Sequence, residues 1–299
     1  MSSLRTLLKK SRLAIHIYRL IKVVLLDPVN QGRRFYYFQR YLWWFCWARP
    51  RGQQTLVKLE NGLLSKVYPD SDSGVSNIFT RNVDYFEQKF IRTQLKPGDF
   101  IVDAGCNVGN RTLALADMIG GALMLDANPR CLERLRENFA LNQIEINRYT
   151  LRACAVGASE GTLFFSNLGG TDCCNRIVAE GSNNSTAVSV TTIDQELMRI
   201  HQPECRFIKL DLEGFDLEGL RGSLHTLKSG SVKLVEFERW PGIPLSDFNE
   251  FFSALNWVIF GLDRSGKPTQ DQQMIASRSN LFAMPQTGWE ALQSTSQPL

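Results

Sequence analysis

No run of eighteen apolar residues, the length a bilayer-spanning helix needs, occurs anywhere in the 299-residue chain. The best N-terminal candidate, "LAIHIYRLIKVVLL", is interrupted by His16, Arg19 and Lys22, and no small-residue cleavage site follows it. A cytoplasmic protein is therefore expected, with any membrane association made through its surface. No two of the seven cysteines (46, 106, 131, 154, 173, 174 and 205) show the two-residue gap of a zinc knuckle or a redox motif. Reduced thiols are expected, and adjacent Cys173 and Cys174 read as a loop because a vicinal bridge is strained. Histidine is scarce, and His16, His201 and His225 fall in an arm, a loop beside Pro203 and off an apolar helix stripe, so surface roles are expected for all three.

Acids are nearly missing from the first segment. Residues 1–52 hold eleven Lys and Arg against one acid, Asp27, for a net +10, which leaves −6 on 53–299 of a chain whose total is +4. Two differently built parts are implied: a basic arm at 1–52, and a domain at 53–299 with its core at about 85–285. Within the arm, "FYYFQRYLWWFCW" at 35–47 is aromatic at nine of thirteen positions. Trp and Tyr rings beside Lys and Arg suit an anionic membrane surface. They equally suit a helical arm whose aromatic face packs on its own domain or on a second subunit. Nucleic acid is not expected, since the region that follows is acidic and carries no nucleic-acid module motif.

Periodicity then sets the fold class. "TLVKLENGLLSKVYPD" alternates about Asn61-Gly62 and predicts a β-hairpin. "NVDYFEQKFIRTQL" spaces Tyr85, Phe86, Phe90, Ile91 and Leu95 as a helix that ends before Pro97-Gly98. Apolar runs at 100–105, 122–126, 149–156, 206–211 and 232–238 alternate with helical patterns, one carrying Leu132, Leu135 and Phe139, another Leu217, Leu220, Leu224 and Leu227. This alternation predicts an α/β fold with a Rossmann-like doubly wound sheet, preceded by the helical arm and the small hairpin. "GTLFFS" and "VSVTTID" add β-type segments around a polar loop at 166–187, and the polar "QTGWEALQSTSQPL" predicts a frayed end.

In such a sheet the ligand lies beyond the carboxyl ends of the strands. Gly105 and Gly109 fall where the first strand turns into its helix, with Asp103, Cys106 and Asn107 around them. Glycine there permits positive φ and close approach of a ligand to the backbone. The loop is neither G-x-G-x-x-G nor a Walker motif, which disfavours a dinucleotide and with it a nicotinamide dehydrogenase. Asp103 would repel a phosphate and attract an amine. Asp126, twenty-three residues on, stands where an acid receives ribose hydroxyls, with Ala127 after it, and Cys154 and Ala155 end the third strand where backbone can meet an adenine edge. A ligand with amine, ribose and adenine but no pyrophosphate is S-adenosylmethionine.

"DAGCNVGN", "LDANPRCLERLRENFALN", "ACAVGASEGTL", "VTTIDQEL" and above all "FIKLDLEGFDLEGLRGS" followed by "VKLVEFE" carry a resemblance to a known family. The stretch from about 85 to 240 resembles the FkbM methyltransferases, and the resemblance implies the class I methyltransferase fold, S-adenosylmethionine and methylation of hydroxyls on sugars, polyketides and related metabolites. It also exposes two departures: the family has Glu-Pro where this chain has Asp126-Ala127, and Ala where it has Cys106.

Methyl transfer to oxygen needs aligned reactants and removal of the hydroxyl proton. Asp211 ends the fourth strand and Glu213 follows it, so either is a candidate general base. Their carboxylates could instead hold a divalent cation that acidifies the hydroxyl, or cap the next helix; no metal is assigned. Glu236 and Glu238 are the further acids expected to point the same way. The polar loop suits a hydroxyl-rich acceptor. The expectation is an O-methyltransferase acting on a sugar, glycan, or glycosylated or lipid-linked metabolite, with a homo-oligomer open. The alternative is a non-catalytic module of the same fold, tethered through its arm.

Overall fold

The computed structural model describes residues 20–80, 84–166, 177–178, 182, 185–202 and 204–295. Contacts divide the chain into two compact units, 1–85 and 86–299.

In the first unit the aromatic block forms α1 (Arg34–Trp43), which runs on as a wider helical turn over Trp44–Ala48. Tyr37, Tyr41, Trp44 and Ala48 are buried at three- and four-residue spacing, the stripe an amphipathic helix turns to its core. They cluster with Val24, Ile78, Phe79 and with Val57 and Val67 of a hairpin, β1 (Thr55–Lys58) and β2 (Leu64–Val67). The Gly62 amide donates to the Leu59 carbonyl, and Gly62 itself takes φ +87°, so the turn forms at Asn61-Gly62 as its residues predict. Because the hairpin shares the helix's core, this unit extends to Tyr85, and the division expected at residue 52 runs through its interior.

The second unit carries β3 (Phe100–Ala104), β4 (Gly121–Asp126), β5 (Tyr149–Ala153), β6 (Ala155–Val156), β7 (Gly161–Ser166), β8 (Ile177–Val178), β9 (Ser185–Thr191), β10 (Phe207–Leu210), β11 (Leu234–Glu238), β12 (Trp257–Leu262), β13 (Pro268–Thr269) and β14 (Asn280–Pro285). Eight of them form one sheet in the order β13-β12-β14-β11-β10-β3-β4-β5. The run from β11 to β5 is parallel, and β14 pairs antiparallel with both β11 and β12. The order reverses between β3 and β10, the switch point at which such sheets place a ligand. Val102, Leu123, Ile208 and Val235 are fully buried, as parallel strands covered on both faces must be. The doubly wound sheet expected from sequence is the one observed.

Four expectations change. The predicted strand at 149–156 is two strands: the Cys154 amide donates to the Asp126 carbonyl (3.0 Å), after which β6 joins β9 in a second sheet of order β6-β9-β7-β8. The helix carrying the leucine stripe breaks into α6 (Asp216–Arg221) and α7 (Leu224–Lys228), after α2 (Tyr85–Gln94), α3 (Asn110–Leu115), α4 (Pro129–Leu141) and α5 (Ile193–Arg199). The break falls at Gly222, which packs so closely on the Gly157 main chain that a Cβ there would stand 2.1 Å from its carbonyl oxygen. The supposedly frayed end is α8 (Gln286–Thr295), held by Trp289, which is buried with its ring 5.0 Å from Phe260. Finally, β12 and β14 were not anticipated; their Phe260 and Phe282 rings both meet Phe90 of α2 edge-on.

Gly222→Ala forces two backbones apart and is expected to cost about 2–3 kcal/mol, lowering the midpoint of thermal unfolding by roughly 5–10 °C. Gly161→Ala, whose Cβ meets open space, is the control and should leave the midpoint unmoved.

Candidate active site

The loop after β3 begins with two amides, of Gly105 and Cys106, that both donate to the Leu125 carbonyl of β4 (2.8 and 3.1 Å). Gly105, Asn107 and Gly109 all adopt positive φ. What lies against the two glycines is the protein itself. A Cβ on Gly105 would stand 2.0 Å from the main-chain oxygen of Asp211, and one on Gly109 would meet Leu135 of α4 at 2.9 Å. The glycines therefore let β3 close on β10 and α4 close on the loop; Gly109 serves this packing rather than leaving room for a ligand, whereas Gly105 also lines the cleft.

A cleft open to solvent lies along the carboxyl ends of β3, β4 and β10 and against the second sheet. Of the residues predicted from sequence, Gly105, Asn107, Asp126, Ala127, Cys154, Ala155, Asp211 and Glu213 line it. Asp103, Cys106 and Gly109 do not. Asp103 is fully buried: its Oδ2 accepts from the Thr112 hydroxyl (2.7 Å), and its Oδ1 faces the Lys209 ammonium at 3.7 Å. The amine it was expected to attract is the chain's own. Cys106 is buried beneath the loop, where burial and the Asp126 and Asp103 charges push its thiol pKa well up. His201 and His225 are exposed and line no part of the cleft.

Asp126 ends β4 with both carboxylate oxygens in use, Oδ2 accepting from the Asn107 amide and Oδ1 from the Asn128 amide, each at 2.8 Å. Burial raises its pKa to about 6 against the lowering effect of those two amides. Each oxygen keeps a lone pair, so Asp126 is oriented yet able to accept from a ligand hydroxyl. Next to it, the side-chain oxygen of Asn107 is buried with no hydrogen-bond partner in the described structure. Asn107 lines the cleft, so an acceptor is waiting for a donor there. Leu125, Val156, Leu163, Phe165 and Phe215 give the rest of the lining its apolar surface, a signal that lay in residues the sequence reading had assigned only to strands. Apolar walls with convergent acceptors fit a nucleoside bearing hydroxyl and ammonium donors. The Cys154 amide, already bound to Asp126, is not free for an adenine edge.

At the opposite wall Asp211 is half-exposed, and its Oδ2 accepts from Lys209 Nζ at 3.1 Å. Burial alone would lower the Lys209 pKa, but Asp211, Asp103 and Glu236 outweigh it and hold the ammonium charged. Neither Asp211 nor Glu213 caps a helix: α6 begins after Phe215 with no side-chain cap, and Glu213 and Gly214 instead form a tight turn with positive φ at both. Asp216, not predicted, ties this turn to β11 by accepting from the Leu212 amide (3.2 Å) and the Glu238 amide (2.8 Å). The two further acids part company. Glu236 is buried in an ion pair with Arg111 (2.7 Å) and does not reach the cleft. Glu238 neighbours Asp211; burial first, then the charges of Asp211, Asp216 and Glu213, push its pKa up to about 8. Glu238 is therefore largely protonated at neutral pH. Among the described residues, no group of three or more His, Cys, Asp or Glu is placed to hold a metal ion.

A carboxyl whose folded pKa is raised contributes stability that is complete below its unfolded pKa and is lost as pH rises through the folded value. For Glu238 this window runs from about 4.5 to about 8. The thermal midpoint is expected to fall from pH 6 to pH 9, and Glu238→Gln should flatten that slope. An unchanged slope in the variant, followed by calorimetry, would contradict the raised pKa of Glu238.

Residues 103–257 match the Methyltransferase FkbM domain. No curated protein matches the chain. Among solved structures, methyltransferase FkbM from Methylobacillus flagellatus is 14% identical over 71% of this chain, with a TM-score of 0.44; the match spans 55% of that protein, about half its length. A TehB-like SAM-dependent methyltransferase from Corynebacterium glutamicum is 15% identical over 68% of this chain and 89% of its own, TM-score 0.39. The Streptococcus mutans protein SMU.1697c, in complex with SAH, is 12% identical over 66% and 94%, TM-score 0.41. With the family domain spanning more than half of its length, across the loop after β3, Asp126 and Asp211, the chain belongs to the FkbM family of S-adenosylmethionine-dependent methyltransferases.

Proposed function

We propose that the chain transfers a methyl group to a hydroxyl of a sugar, a glycan, or a glycosylated or lipid-linked metabolite, with Asp211 as the general base. The observation that carries this reading is the Asp211 carboxylate: half-exposed on the cleft wall opposite Asp126, anchored by Lys209 and with Glu238 beside it. Asp126 would accept the ribose hydroxyls, and the orphaned Asn107 oxygen would take a donor of the methionine end. When bound, S-adenosylmethionine supplies an electrophilic methyl on a sulfonium, so the acceptor oxygen has to be a competent nucleophile. Asp211 makes it one by accepting the hydroxyl proton. Lys209 fixes the carboxylate from beneath, and Glu238, by holding or yielding its own proton, sets how much negative charge stands beside the acceptor. The hydroxyl-rich acceptor class rests on the composition of the polar loop at 166–187, most of which lies outside the described residues.

Calorimetric titration of S-adenosylhomocysteine into the full chain should give micromolar binding, on the order of −8 kcal/mol. Asp126→Ala, removing a charged acceptor, should weaken it by roughly ten- to a hundredfold. Asp211→Asn should bind as wild type yet lose about 10²–10⁴ in turnover of radiolabelled methyl into a glycan or glycolipid acceptor. Wild-type turnover by Asp211→Asn would remove Asp211 from the role of base.

A further inference from the structure

The first unit turns one face of its aromatic helix to the core and leaves the other uncovered. Tyr37, Tyr41, Trp44 and Ala48 point inward, whereas Phe35, Tyr36, Leu42, Trp43 and Trp47 are exposed, Phe35 at 72% and Trp47 at 53%. These exposed residues recur one, seven, eight and twelve positions after Phe35, which is a single stripe opposite the buried one. An uncovered run of five large apolar side chains is not a scatter of ordinary surface residues. Its rings carry cations: the Arg51 guanidinium lies 3.5 Å from the Trp47 ring centroid, and that of Arg40 lies 5.4 Å from Trp43. Arg33 and Arg34 stand exposed at the start of the same helix. No acid occurs between Asp27 and Glu60, and residues 1–85 together carry a net +9.

We propose that this face is a docking surface for an anionic lipid bilayer, lying in the headgroup layer with its rings inserted and its arginines against the lipid phosphates. Three features select that occupant. Trp and Tyr are the side chains that settle at the membrane interface, since a flat apolar ring and a polar edge match the boundary between acyl chains and headgroups. Each arginine beside an acidic leaflet adds attraction, and the arginines that cover the Trp rings keep their charge at headgroup depth. A second copy is disfavoured as occupant, because a twofold contact places the same patch against itself and would press two units of net +9 together. No helix among the described residues is long and apolar enough to cross a membrane, so the mode is attachment in the plane of the surface.

The test is co-sedimentation of the full chain with vesicles of phosphatidylcholine alone or mixed with phosphatidylglycerol. Binding is expected only where phosphatidylglycerol is present, with a blue shift in tryptophan fluorescence. Phe35→Ser combined with Trp47→Ser changes only exposed side chains and should reduce partitioning about tenfold or more. Arg34→Gln combined with Arg51→Gln should reduce it similarly and lessen its sensitivity to salt. Absence of binding to the anionic vesicles overturns the proposal, as does equal partitioning by the serine variant, which would place the attraction elsewhere. A dimer in sedimentation velocity that the serine variant dissociates, or a polyanion such as single-stranded RNA that binds where vesicles do not, would give the face to another occupant.

Discussion

A single buried ammonium holds the working end of the sheet together. Lys209 sits inside β10 with its Nζ between Asp103 of β3 and Asp211 at the end of its own strand, and it also reaches the Gly105 carbonyl at 3.4 Å. An isolated charge at that depth would be costly enough to lose its proton. Paired on both sides it stays ionised and turns the cost into a constraint, because removing a carboxylate would leave the buried ammonium less fully compensated. It joins the two strands that flank the switch point, the place where an open α/β sheet would otherwise split into a ligand crevice. The cleft thus has a wall whose polar groups are fixed before any ligand arrives.

Around that anchor the acids divide their work according to depth. Asp103 and Glu236 are buried against Lys209 and Arg111 and belong to the frame. Asp216 spends its oxygens on two amides and fixes the turn that carries Glu213. Asp211 lines the cleft, and Glu238 beside it, its pKa raised to about 8, keeps its proton near neutrality. One-dimensional spacing could not separate these roles. Glu236 and Glu238 differ by two positions on one strand, and a period of two should send them to the same face. What separates them is the end of the strand: Glu236 is still within the sheet, beneath α3, whereas Glu238 lies where the chain leaves it.

Elsewhere the sequence was legible where a local rule acts alone. Burial of the central parallel strands, the stripe on α4 and the Asn61-Gly62 turn each follow from a few neighbouring residues. The apparent strand at 149–156 failed because its break depends on a hydrogen bond from Cys154 to a residue twenty-eight positions earlier. The leucine helix failed at Gly222 for a like reason, a contact with a distant main chain. The C-terminal helix failed because composition weighed its many polar residues above one tryptophan, and one buried indole was sufficient to order the segment. In the cleft, the acids at strand ends were visible in advance, but the apolar wall was not: Leu163, Phe165 and Phe215 read only as strand or helix formers until the second sheet brought them to the first.

The close approach of Gly105 to Asp211 has an evolutionary corollary. With the Asp211 carbonyl occupying the volume where a Cβ would project, the glycine loop and the carboxylate form one rigid body, and neither shifts without the other. Variation that retunes the chemistry is therefore confined to changes that leave this joint intact, and novelty is channelled to the rim. In directed evolution, positions away from this joint are where libraries should be spent.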